Sequence, residues 1–89
     1  MVNNRRSEIK IISEILTLAR NGAKKTELLY QGNLSYSQLQ GYLSFLIEKE
    51  IIQEKLIKNN GSSVKFYTTT EKGLLFLQDV NKVLEHLEH

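Results

Sequence analysis

The run Leu34-Ser35-Tyr36-Ser37-Gln38-Leu39 fixes a point at which a helix must begin. The Ser35 hydroxyl can accept the backbone N–H of Gln38, and the Gln38 side chain can reach back to the N–H of Ser35. This is the reciprocal arrangement of a capping box, and Leu34 and Leu39 stand where a hydrophobic staple closes over it. A helix is therefore predicted from Tyr36 to about Lys49. Gly32-Asn33, just upstream, reads as a tight turn. Before it lies a short helical segment from Lys25 to about Gln31, with Leu28 and Leu29 turned inward. Two helices joined by a tight turn are thus specified by local chemistry alone.

The remaining elements follow from periodicity. Residues 6–20 carry Ile9, Ile12, Leu16 and Ala19 at helical spacing, with Ile11, Ile15 and Leu18 widening the apolar stripe. Ser7 is a suitable N-cap and Asn21-Gly22 a stop. Residues 51–57 and 64–69 are rich in strand formers, and the polar run 58–63 between them predicts a β-hairpin with a long tip. Thr70 then caps a last helix from Glu71 to about His86, along which Leu77, Val80, Leu84 and Leu87 recur at helical spacing.

With 89 residues the chain has room for one core. The expected fold class is α+β, mostly α: a winged helix-turn-helix with a three-helix core, a hairpin wing and a C-terminal helix. Residues 1–70 would form the winged domain and 71–86 a dimerisation helix. Leu87-Glu88-His89 matches the start of a common vector-derived hexahistidine tag, so function is expected upstream of it. The sequence contains no Cys, which excludes disulfides and thiolate metal sites. Neither a signal peptide nor a membrane span is recognisable, and a cytoplasmic, nucleoid-associated protein is expected.

The stretches Asn21-Gly22-Ala23-Lys24-Lys25-Thr26, Asn33-Leu34-Ser35-Tyr36 and Thr70-Glu71-Lys72-Gly73 resemble the small archaeal winged-helix regulators. That group includes chromatin-type proteins of about this size that dimerise through a C-terminal antiparallel coiled coil. The resemblance implies DNA binding, a dimer and no cofactor. Thr69 stands where such motifs often carry Leu, and the last helix is short for a long coiled coil.

The overall charge of +2 says little about partners, but its distribution says more. Residues 1–26 hold Arg5, Arg6, Lys10, Arg20, Lys24 and Lys25 against Glu8 and Glu14, residues 28–47 hold no charge, and residues 55–72 hold Lys55, Lys58, Lys65 and Lys72 against Glu71. A fold that brings the two basic segments together would make a phosphate-binding surface. On the helix from Tyr36, the sides of Leu39, Leu43 and Leu46 should be buried, flanked by Tyr36, Tyr42 and Ile47. The opposite side offers Ser37, Gln38, Gln40, Gly41 and Ser44 as candidate base contacts. A glutamine can pair bidentately with adenine, for about 1–3 kcal/mol of discrimination. Gly41 would let the helix approach the groove closely. Arg5, Arg6, Lys24, Lys25, Tyr36, Lys55, Lys58 and Lys65 are the candidate phosphate contacts.

Beyond the winged core, Leu77, Val80, Val83 and Leu84 are the candidate dimer interface, on the expectation that the helix outruns the core by Val80. No constellation of nucleophile, base or phosphate loop suggests an enzyme. The expected partners are double-stranded DNA and a second copy of the chain, with neither a membrane nor a small-molecule ligand. The expected role is transcription regulation or chromosome architecture. The alternative, which the uncharged helix and Phe45 leave open, is a winged helix used as a protein–protein module. The placement of the basic residues in the folded surface separates the two.

Overall fold

In a computed structural model, which describes residues 7–88, the chain folds as α1 (Glu8–Leu18), β1 (Ala23–Lys24), α2 (Lys25–Gly32), α3 (Tyr36–Glu48), β2 (Ile52–Asn59), β3 (Ser62–Thr69) and α4 (Glu71–Glu88). The expected class and element order are observed. The three strands form an antiparallel sheet in the order β1-β3-β2. The core lies between α1, α2, α3 and the inner side of the sheet. Ile15, Leu16, Leu28, Leu39, Leu43, Leu46, Ile52 and Tyr67 are its largest fully buried side chains.

The predicted caps hold. Ser7 Oγ accepts the Lys10 N–H at 3.1 Å, and Ser35 Oγ accepts the Gln38 N–H at 3.2 Å while Gln38 Oε1 accepts the Ser35 N–H at 3.0 Å. At α2 only half of such a box can exist, because the Lys24 side chain has no acceptor; Glu27 Oε1 accepts the Lys24 N–H at 2.9 Å. Asn33 takes a left-handed conformation (φ 54°), which ends α2 and makes the turn into α3.

Several features depart from the sequence reading. The stripe of α1 centres on Ile11, Ile15, Leu16 and Ala19 rather than on Ile9 and Ile12; Ile9 is exposed and Ile12 half-buried. Tyr36 lies outside the core, 61% exposed. The hairpin has a tight tip, not a long one. Asn59 pairs with Ser62, and only Asn60 (φ 52°) and Gly61 (φ 81°) lie between the strands. Two central residues with positive φ give the turn whose twist matches that of the strands, and Asn-Gly adopts it readily. Polar residues 58, 59, 62 and 63 therefore extend the ladder, since its hydrogen bonds are made by backbone.

Residues of the Thr70-Glu71-Lys72-Gly73 motif clasp the turn between α3 and β2. Thr70 Oγ1 donates to the Glu50 carbonyl at 2.7 Å and accepts the Gly73 N–H at 2.9 Å, so the predicted cap of α4 also anchors it. Lys72 Nζ donates to the Lys49 carbonyl at 2.8 Å. A Cβ at position 73 would collide with the Ile51 carbonyl oxygen and approach Thr69 Cγ2 to 2.8 Å. Thr69 in turn donates from Oγ1 to the Leu16 carbonyl at 2.8 Å and from its N–H to the Ala19 carbonyl at 3.0 Å. A leucine there would leave the Leu16 carbonyl, in the last turn of α1, without its side-chain donor.

α4 runs back along α1, and this corrects the expectation that it has left the core by Val80. Leu77 (7% exposed) and Val80 (8%) are buried within the protomer, Ser13 Oγ donates to Asn81 Oδ1 at 3.0 Å, and Leu84 is half-buried. Of the interface candidates only Val83 is exposed. Among the described residues no helix is long and apolar enough to cross a membrane.

Candidate nucleic-acid interface

α3 is held at its inner side by Leu39, Leu43 and Leu46, and this rotation turns Ser37, Gln38, Gln40, Gly41 and Ser44 outward, all of them exposed. These residues do not share one state. Gln38 Oε1 accepts in the cap, which leaves its amide nitrogen and one lone pair of that oxygen for a partner. Gln40 Oε1 accepts from Lys25 Nζ at 2.9 Å. Apart from its chain neighbours and the backbone of its own helix, no heavy atom of the described residues lies within 4 Å of a Cβ built at Gly41.

The fold brings several candidate phosphate contacts to the side of this helix. Lys24 is both β1 and the residue before α2, so pairing of β1 with β3 sets the two lysines at the start of α2 against the wing. Lys24, Lys25 and Lys65 line one groove with Thr26, Ser63 and Tyr67. Lys24 and Lys58 line a second along the hairpin, with Ile57, Val64 and Phe66. Lys55 and Lys24 both pair with Phe66, one from each side of β3, so all three share a sheet face, and Lys24 Nζ sits 6.0 Å from the Phe66 ring centre. Arg5 and Arg6 lie outside the described residues.

Tyr36 opens α3 beside this cluster, with Lys25 Nζ 5.1 Å from its ring centre, within cation–π range. Behind it, Tyr67 is 1% exposed and bonds to Glu54, its pairing partner across β2 and β3. Burial, together with the Glu54 carboxylate, pushes the Tyr67 hydroxyl up to about 12, so it stays a neutral donor.

The sequence reading missed β1, which is two residues long, and the aromatic floors beneath the lysines. It also passed over Lys49, whose Nζ lies 5.9 Å from the Phe45 ring centre at the other end of α3. An alternating strand pattern around Phe66 signals which face that ring takes, but not that Lys24 lies over it. On the side of α3 away from the lysines, Glu8, Ile12, Tyr42 and Phe45 line a third, more apolar groove with Ser37, Gln38 and Gly41.

Comparison with known proteins agrees with this architecture. MJ0290, an uncharacterized protein of Methanocaldococcus jannaschii, is 35% identical over 80 residues, a match that spans 89% of this chain and 34% of the relative. The chain thus corresponds to about a third of that protein's length. Sso10a-2, a DNA-binding protein from Sulfolobus solfataricus, superposes with a TM-score of 0.82 at 25% identity, covering 93% of this chain and 83% of that one. A PadR family transcriptional regulator from Eggerthella lenta shares the fold with a TM-score of 0.77 at 19% identity, covering 88% and 74% of the two chains. The winged helix-turn-helix family profile matches residues 5–88, and the chain belongs to that family.

Proposed function

We propose that this protein binds double-stranded DNA as a homodimer, with α3 in the major groove and with the start of α2 and the β2–β3 wing on the phosphates. The observation that carries this reading is the convergence of Lys24, Lys25 and Lys65 on one groove beside a helix whose outward face is polar and uncharged. Cations on the flanks supply the sequence-independent attraction that α3 lacks, and the hydrogen-bonding groups of α3 are left for base edges. The DNA binding of Sso10a-2 supports the reading. The role is one of binding without catalysis, in transcription regulation or chromosome organisation, at the nucleoid.

The second copy would dock on α4. Phe76 (37% exposed) and Val83 (45%) lie on its outer side with half-buried Leu84 between α1 and solvent, while Leu77 and Val80 back this strip from inside the protomer. Pairing about a two-fold axis would cover both strips and fix the spacing of the two α3 helices. A protein-binding module is the second reading, favoured by Phe45, 49% exposed beside the apolar groove of α1 and α3.

A titration of duplex DNA over a range of salt concentrations tests the proposal. Log affinity should fall with log salt by about 0.9 per phosphate contact, and Lys58→Ala with Lys65→Ala should flatten that slope while weakening all sequences alike. An affinity indifferent to salt, or none at low salt, overturns DNA binding and leaves the protein-binding module.

A further inference from the structure

Gln40 is one of the candidate base contacts, and a free glutamine amide offers adenine the acceptor and donor that match its N6 and N7. The structure gives it a different chemistry. Lys25 Nζ lies 2.9 Å from Gln40 Oε1, and a lysine ammonium only donates. The oxygen must therefore be the atom that faces Lys25, and the amide nitrogen, with its two N–H donors, faces away. Lys25 is itself held: it is half-buried at the first position of α2, and the Tyr36 ring lies beneath its ammonium at 5.1 Å. Of its three donors one is given to Gln40, which leaves the others for a phosphate.

We infer that Lys25 is a positioning residue that occupies one lone pair of the Gln40 oxygen and turns the amide nitrogen to the groove as the reading group, so that Gln40 selects guanine over adenine at the base it meets. Guanine presents two adjacent acceptors, O6 and N7, to the major groove, and both can receive the paired N–H groups of one amide nitrogen. Adenine presents N7 beside its own N6 donor, which would face a second donor. Thymine offers the single acceptor O4 and ranks between them. The inference rests on the proposed docking of α3 and deepens it.

The test is a competition assay with the full chain on its selected duplex, each base pair under α3 being replaced in turn. The unmodified protein should favour guanine over adenine at one position by tenfold or more. Lys25→Met keeps the aliphatic stem and frees the amide to rotate; at that position alone the preference should shrink below twofold or turn to adenine. Gln40→Ala should abolish the preference whether or not Lys25 is present. Circular dichroism and thermal melting verify that each variant is folded, as expected for substitutions at an exposed contact. Three results overturn the inference: an adenine preference in the unmodified protein, a guanine preference that survives Lys25→Met unchanged, or one that survives Gln40→Ala. All three leave DNA binding standing. Absence of duplex binding at low salt is the separate result that removes the proposed function and this inference together.

Discussion

Two helical faces are left uncovered within the protomer, and they are chemical opposites. The outer side of α3 shows Ser37, Gln40, Gly41 and Ser44, and that of α4 shows Phe76 and Val83. Both helices are amphipathic about a buried apolar stripe, Leu39, Leu43 and Leu46 in α3 and Leu77 and Val80 in α4, so the inner sides do the same work of filling the core. The outer sides differ in what they would lose on leaving water. Hydroxyl and amide groups must find partners in return, and base edges framed by phosphates provide them. Aliphatic and aromatic groups gain simply by being covered, and a second copy of the same strip does that. Under the proposed function the contrast would give the two faces different partners, and substitutions that act on one face and spare the other can break it.

The largest expected effect falls on the anchor that sets the rotation of α4. Gly73→Ala would improve helix propensity by about 1 kcal/mol in an open site. Here the added carbon meets the Ile51 carbonyl, which is backbone and cannot swing aside. Overpacking of this kind costs about 1–3 kcal/mol, so thermal melting should show a net loss of stability. An unchanged or raised melting temperature would mean that α4 can be re-seated, and that the outer position of Val83 is not fixed by this clasp.

Next, for assembly rather than for the fold, comes the α4 strip itself. Val80, an attractive target from sequence, is a poor one, because an Asp there would be buried against α1 within the protomer. Val83→Asp puts the charge on the exposed side instead. A two-fold interface counts each substitution twice, so dimer affinity should fall by about 3 kcal/mol, on the order of a hundredfold, with the protomer fold intact. Sedimentation at micromolar concentration reads this directly. A monomer before substitution, or a dimer that survives it, refutes α4 as the interface.

How much of this was readable in advance depends on the range of the forces involved. The start of α3 was legible because the Ser35–Gln38 box and the Leu34–Leu39 staple are closed by residues adjacent in sequence. The inward Leu39, Leu43 and Leu46 followed from that start by periodicity alone. The basic groups were legible as a list, but their convergence depends on β1, whose two residues become a strand only because β3 lies alongside. The tip of the wing was misread because polarity was taken for irregularity, whereas Asn60-Gly61 is enough to close the ladder. Burial of Val80 was invisible for a similar reason. It is decided by the angle at which α4 leaves Thr70, and that angle is set by contacts with Lys49, Glu50 and Ile51, which lie about twenty residues earlier. The direction of the Gln40 amide is the same case at the level of one side chain, since Lys25 fixes it from another helix.

The smallest effect is also the most diagnostic, because stability and binding should move in opposite directions. Gly41 occupies the middle of α3, where a glycine costs about 0.5–1 kcal/mol relative to alanine. Beyond its chain neighbours and its own helix backbone, nothing among the described residues approaches within 4 Å of the space a Cβ would fill, so no packing contact inside the protomer requires the glycine. Gly41→Ala should therefore raise the melting temperature by a few degrees, as about half to one kcal/mol does in a domain of this size. If α3 lies in the major groove with this position at the floor of contact, the same methyl group must push the helix outward, lengthening the hydrogen bonds of Ser37, Gln40 and Ser44 together. Affinity for the selected duplex should fall several-fold while binding to random DNA, which is carried by the lysines, changes little. Greater stability with unchanged specific affinity would mean that Gly41 meets no partner. The face of α3 that approaches DNA would then lie toward Gln40 and Lys25 alone, away from the groove of Ile12 and Phe45.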